Sequence, residues 1–231
     1  MTTYRAAVCV QIGKALEIQM KPVVTEIEDD QVQVSTHASV VNNADIERCR
    51  GQRDDAPGVP FVPGAVAAGI VLAVGEHVTN VKVGDRVVAL NYDKLGGMAE
   101  QIVVSKDRVF PVPESLNLSQ AAGSIVAYST SMSALEKKAR VQKGDFVLVS
   151  GASGATGLAI AETAKNIYEC QVIAVCRGQQ KHDFLLERGF DRVIDRTKGN
   201  MVDTVLEMTG GQGVATAVDV VGGDMLIDCL H

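Results

Sequence analysis

No apolar run in this chain approaches the length needed to cross a membrane. Basic residues are outnumbered, 22 Lys and Arg against 28 Asp and Glu, for a formal net charge of −6. A dedicated nucleic-acid binder would carry a basic face, and an aromatic content of 4% leaves few rings on which bases could stack. Neither a nucleic acid nor a membrane is therefore an expected partner. The five cysteines, at 9, 49, 170, 176 and 229, are odd in number and include no Cys-x-x-Cys pair, which favours reduced, buried thiols over a disulfide framework. The four histidines, at 37, 77, 182 and 231, are scattered, and no His/Cys cluster has zinc spacing, so no metal is expected. The first residues run straight into strand-like sequence, with no signal-peptide core and no Arg/Ser-rich presequence; a cytoplasmic location is the expectation.

What is present is ordinary globular material, 46% hydrophobic and 22% charged over 231 residues, enough for one large domain or two small ones. One stretch organises it. Phe146–Val149 is a short apolar run of the kind that forms a buried parallel strand. Glycines follow at 151, 154 and 157, and then helix formers from Leu158 onward. Strand, glycine turn and helix make a phosphate cradle: backbone without Cβ atoms approaches a pyrophosphate, and the helix N-terminus offers free N–H groups and partial positive charge. Ser153, Gly154, Ala155, Thr156 and Gly157 are the candidate phosphate-holding residues. The spacing is Gly-x-x-Gly-x-x-Gly, and an ordinary strand-to-helix turn is the plainer alternative.

A second buried strand, Gln171–Cys176, ends at Arg177, twenty positions past Gly157. A dinucleotide fold puts an acid there for the ribose 2′-hydroxyl of NAD, or an arginine for the 2′-phosphate of NADP. Arg177 stands there, with Lys181 four places on, which points to a Rossmann-type site for NADP(H). The competing reading is that both are solvated surface cations.

The rest of the chain falls into two parts. Residues 1–118 hold many short strand patterns, Ala6–Gln11, Leu16–Lys21, Gln31–Ala38, Ile70–Val74, Arg86–Leu90, Glu100–Val104 and Val109–Val112, separated by turn signals. They predict a small closed or partly closed barrel. Residues 119–231 begin with a helical stretch for which Asn117 or Ser119 is the cap, and then alternate. Strand 146–150, helix 155–168, strand 171–176, helix 179–188 stopped by Gly189, strand 192–195, a helix near 200–209 and strand 215–221 predict a doubly wound parallel sheet. Only four strands are countable before His231, which falls inside the next helix, so the sheet is expected to be incomplete on its nicotinamide side.

The chain resembles the medium-chain dehydrogenase/reductase family, in its zinc-free quinone oxidoreductase branch. The likeness rests on Val41–Gly51, on Val62–Val71 with its Pro63-Gly64 and Ala67-Ala68-Gly69, on Val83–Val87, Gly97–Glu100, Gln120–Ala122, Gly144–Val149 and the glycine cradle. The resemblance implies a GroES-like β-barrel followed by a Rossmann domain, and NADPH-dependent reduction of a quinone or other α,β-unsaturated carbonyl by direct hydride transfer. It implies homodimers. It makes Asn42 the active-site asparagine, Thr130 a contact of the nicotinamide amide, Lys181 the 2′-phosphate lysine and Arg196 the replacement of a cofactor-side tyrosine. Glu47 stands where the family often has a tyrosine, and Val66 where it has a glutamate. Asn42 also reads as a helix-capping turn residue, and Thr130 as a helix hydroxyl bonded to its own backbone. The alternative function is a catalytically weak nucleotide-binding or interaction protein. A short-chain dehydrogenase is set aside, because none of Tyr4, Tyr92, Tyr128 or Tyr168 has a lysine four places on.

Overall fold

Valine-rich alternation builds the first half of the molecule. Its strands, among the described residues, are β1 (Thr3–Val8), β2 (Glu17–Pro22), β3 (Gln31–Ser39), β4 (Val66–Val74), β5 (Arg86–Leu90), β6 (Gln101–Ser105) and β7 (Val109–Pro111). β3 pairs antiparallel on both sides, and the five-stranded sheet runs β6-β3-β4-β5-β7. The register against β4 slips between Gln33 and Val34 and again between Thr36 and Ala38. Such bulges bend a strand and increase its twist, which curls the sheet toward a barrel. Val32, Val34, Val71, Val87, Ile102 and Val104 pack into one buried core against this sheet. The β1–β2 hairpin is stitched on where Ala7 N–H donates to the Met98 carbonyl and Glu100 N–H to the Arg5 carbonyl, both at 2.9 Å.

This is a computed structural model, and it describes residues 3–230; Met1, Thr2 and His231 lie outside the described residues. The chain divides into two compact units, Met1–Gly123 and Ser124–His231. Several strand boundaries depart from the sequence pattern. β4 starts at Val66, four residues before the expected Ile70, because Val66–Gly69 are buried in a central strand, where small residues hide the alternation. β1 ends at Val8, and Cys9 makes only an isolated bridge to Phe61.

α1 (Asn43–Cys49) lies between β3 and β4. α2 (Leu118–Met132) is capped by Asn117, whose side-chain oxygen accepts the Gln120 N–H at 2.8 Å while its own N–H donates to the Gln120 side chain at 3.3 Å. α2 passes into a π-helical segment, Ser133–Ala139, which stops at Arg140 with φ +54°. Then come β8 (Phe146–Val149), α3 (Ala155–Asn166), β9 (Gln171–Cys176), α4 (Gln179–Glu187), β10 (Arg192–Asp195), α5 (Met201–Met208), β11 (Thr216–Val218) and α6 (Asp224–Asp228). All four strands are parallel, in the order β10-β9-β8-β11. Counted from β8, that is 3-2-1-4, the first part of the dinucleotide-binding order. Ile160, Ala161, Val147 and Leu185 pack on one face, and Ile173, Met201, Val205 and Met225 on the other. Burial on both faces is why these strands read as unbroken apolar runs. β11 is shorter than the expected 215–221. Asp219 ends it by accepting the N–H groups of Val221 and Gly222, both at 2.9 Å, which turns the chain away.

Candidate cofactor cradle and active-site elements

The carboxyl ends of β8, β9, β10 and β11 carry the second unit's site. Ser150 follows β8, and Gly151 turns the chain with φ +56°. Gly154 is the N-cap of α3, and the first i→i−4 bond of the helix runs from Leu158 N–H to the Gly154 carbonyl at 2.8 Å. The N–H groups of Ala155, Thr156 and Gly157 therefore have no intrahelical acceptor. They form the positive end of a twelve-residue helix. Gly157 is where helix and turn touch: a Cβ there would stand 2.3 Å from the Gly151 carbonyl oxygen. Ser153 and Thr156 are half-buried beside this edge, and Gly154 and Ala155 are exposed. The residues thus fit a pyrophosphate, with open backbone donors at a glycine-lined helix start.

Two carboxylates tie the neighbouring loops. Asp219 receives the Ser150 hydroxyl, and Ser150 Oγ in turn accepts the Val220 N–H at 2.9 Å, so the β8 turn is laced to the β11 loop. Burial pushes the Asp219 carboxyl up, but the bonds from Ser150, Val221 and Gly222 outweigh it and hold it below its ordinary value. Stability from a depressed carboxyl is complete above the unfolded value near about 4 and is lost as pH falls through the folded value. Asp219→Asn is expected to flatten the acid limb of a stability–pH profile measured by urea unfolding. Identical acid slopes in the two proteins would contradict this. Asp195, at the end of β10, accepts from Gly178 and Thr197.

Beyond these ties lies an open, polar cleft of about 530 Å³ walled by Arg177, Arg196, Thr197, Gly222, Asp224 and Met225. The structure thus brings Arg177 and Arg196 to one cleft. Arg177 is exposed, and Arg196 is half-buried with Nη1 3.7 Å from the Met225 sulfur. Lys181 is exposed in the first turn of α4 and is not among the walls. Thr130 is exposed near the end of α2. Sequence reasoning missed Asp195, Thr197, Asp219, Gly222 and Asp224. The available signal was positional: each lies at or a few residues beyond the carboxyl end of a strand of the parallel sheet.

In the first unit Asn42 is the N-cap of α1 and is half-buried. Its backbone N–H donates to Asp45 Oδ2 at 2.9 Å, and its carbonyl accepts the Asp45 N–H at 3.0 Å. These two bonds fix the Asn42 backbone at the start of α1. Glu47 is held by Arg53 Nη1 at 3.4 Å. An apolar hollow of about 300 Å³ adjoins the same helix, lined among others by Leu16, Val41, Ile46, Pro63 and Met98. Cys49 also lines it, its thiol pushed up to about 11 by burial first and by Cys9 second, so it is no thiolate at neutral pH. Val66 is wholly buried at the start of β4. Among the described residues no group of three or more His, Cys, Asp or Glu side chains could hold a metal ion. No helix among them is long and apolar enough to cross a membrane.

A curled antiparallel sheet followed by a parallel sheet in 3-2-1-4 order, with a glycine cradle at its carboxyl edge, defines the two-part dehydrogenase class built of a GroES-like and a Rossmann-like half. Residues 28–114 match the Alcohol dehydrogenase GroES-like domain, and residues 155–231 match the Zinc-binding dehydrogenase family. The zinc in that second description finds no ligand set among the described residues. The chain is 37% identical to quinone oxidoreductase-like protein 2 of Mus musculus over 200 residues, 87% of this chain and 56% of that protein. It is 33% identical to the quinone oxidoreductase of Sus scrofa over 190 residues, 82% of this chain and 57% of that one. A solved quinone oxidoreductase of Pseudomonas syringae pv. Tomato DC3000 superposes with a TM-score of 0.89 at 27% identity, covering 98% of this chain and 69% of that one. The chain belongs to the medium-chain dehydrogenase/reductase family, among its quinone oxidoreductase-like proteins. It spans little more than half the length of the curated relatives it matches.

Proposed function

We propose that this protein is an oxidoreductase that reduces a quinone or other α,β-unsaturated carbonyl with NADPH, without a metal. The observation that carries the reading is the pair Arg177 and Arg196 on one polar cleft at the sheet's carboxyl edge, where an NAD site would place an acid. The relatives' names support a quinone as acceptor.

The free N–H groups of Ala155, Thr156 and Gly157 hold the pyrophosphate, with Ser153 and Gly154 shaping the turn. Arg177 and Arg196 pair with the 2′-phosphate, and Lys181 adds positive charge from α4. Thr130 orients the nicotinamide amide through its hydroxyl. NADPH, when bound, supplies the hydride. The Asn42 amide donates to the acceptor's carbonyl oxygen, where negative charge grows as reduction proceeds. Solvent delivers the proton. A cytoplasmic site of action accompanies this reading.

Asn42→Ala is expected to lower kcat by about a hundredfold, the scale of losing one oxyanion-type donor. NADPH affinity should stay unchanged. Steady-state quinone reduction paired with nicotinamide-fluorescence titration checks both; an unchanged kcat would remove Asn42 from the reaction.

A further inference from the structure

Asp195 makes contacts that neither the cradle nor the hydride step requires. It closes β10 in register with Cys176 at the end of β9, so both following loops start at the same level. Its side chain is buried, with 6% of its surface exposed. One oxygen, Oδ1, carries all of its hydrogen bonds. It accepts the Gly178 N–H at 2.8 Å, the Thr197 N–H at 3.1 Å and the Thr197 hydroxyl at 2.9 Å. The other oxygen, Oδ2, is buried and has no hydrogen-bond partner among the described residues.

The three donors flank the two arginines. Gly178 directly follows Arg177, and Arg196 lies between Asp195 and Thr197. Gly178 has φ +96° and ψ 151°, a backbone conformation that glycine adopts freely and a side chain would oppose. Arg196 is tied a second time, its N–H donating to the Cys176 carbonyl at 3.1 Å. A carboxylate beside an anion site is electrostatically adverse. Here its charge is spent on donors from both loops, first the Gly178 N–H, which hold the carboxyl below its ordinary value.

We propose that Asp195 is the positioning residue of the 2′-phosphate subsite: its Oδ1 locks the loops after β9 and β10 together so that Arg177 and Arg196 face one cleft, without itself touching the cofactor. This rests on the NADPH reading above. It makes a separable claim, because only Oδ1 does the positioning. Asparagine keeps that acceptor but places an NH₂ where Oδ2 has no partner. Asp195→Asn should therefore lose stability yet keep cofactor selectivity, whereas Asp195→Ala should lose selectivity.

The test titrates wild type, Asp195→Asn, Asp195→Ala and Thr197→Val with NADPH and NADH by nicotinamide fluorescence, with thermal unfolding alongside. Asp195→Ala is expected to weaken NADPH about tenfold, the scale of losing charge-assisted positioning, with NADH within about twofold. Asp195→Asn should keep the wild-type NADPH/NADH ratio despite a lower Tm. Thr197→Val, which keeps the charge and removes one bond, should shift the ratio about two- to threefold toward NADH. If Asp195→Ala fails to fold, the Asn and Val variants decide. A ratio that tracks Tm across the variants, or that none of them moves, overturns the proposal while leaving NADPH selectivity standing. A wild type that does not prefer NADPH overturns the NADPH reading and this proposal with it.

Discussion

Gly157→Val is expected to abolish cofactor binding and to cost about 3 kcal/mol of stability, the upper range for forcing extra atoms into a packed interior. The first added carbon already meets only backbone: the Gly151 carbonyl oxygen at 2.3 Å, the Gly151 carbonyl carbon at 2.8 Å and the Ala152 Cα at 3.0 Å. None of these can swing aside as a side chain could. Relief requires α3 to move away from the turn, and the turn is pinned at Ala152 N–H to the Val175 carbonyl, 3.1 Å, and by Ser150 to Asp219. A displaced α3 carries its free N–H groups out of reach of a pyrophosphate. Gly154→Ala is the control. Its Cβ would stand 3.4 Å from the same oxygen, ordinary contact, at φ −86° that any residue adopts. It should cost no more than about 1 kcal/mol, the scale of a changed N-cap. Urea unfolding and NADPH titration of both variants check the pair. A Gly157→Val chain that binds NADPH with wild-type stability would mean that α3 does not rest on the turn as described.

The double variant Arg177→Ala/Arg196→Ala is expected to weaken NADPH by about a hundredfold, roughly tenfold for each lost guanidinium–phosphate pairing, while NADH changes little. The reasoning is local. Both residues wall one cleft, Arg177 is exposed and free to turn to a ligand, and Arg196 is braced by its backbone bond to Cys176. The 2′-phosphate is the one group that separates the two cofactors, so a selective loss identifies the subsite. Competition between 2′-AMP and 5′-AMP measures it independently. Equal losses for NADPH and NADH would place the arginines elsewhere on the cofactor.

The parallel half was readable because burial on both faces leaves its strands as plain apolar runs, and because Gly151, Gly154 and Gly157 mark the one turn where α3 must approach β8. Gly189 after α4, with φ +83°, is equally plain, since capping is local chemistry, whereas the cap of α2 stays open between Asn117 and Ser119 until the fold shows Asn117 accepting the Gln120 N–H. The start of β4 is hidden in the sequence, because Val66, Ala67, Ala68 and Gly69 carry no alternation when neighbours cover both sides. The end of β11 is hidden too, since Val220 and Val221 look strand-like although Asp219 turns the backbone before them. The polar ties of Asp195 and Asp219 could not be read at all. Each joins loops 17 or 69 residues apart in the chain, and single-sequence periodicity contains nothing about such pairings. The departure at Glu47 was visible in sequence, but its engagement by Arg53 required the fold.

The central claim is that the second half is an NADPH cradle selective through its arginine cleft. Titration of the unmodified 231-residue chain with NADPH and with NADH, followed by nicotinamide fluorescence, tests it most directly. NADPH is expected to bind at least about tenfold more tightly than NADH, a difference of one good charge-assisted pairing. Equal affinity would make Arg177 and Arg196 solvated surface cations, and binding of neither cofactor would contradict the cradle and favour a protein that works through interaction alone.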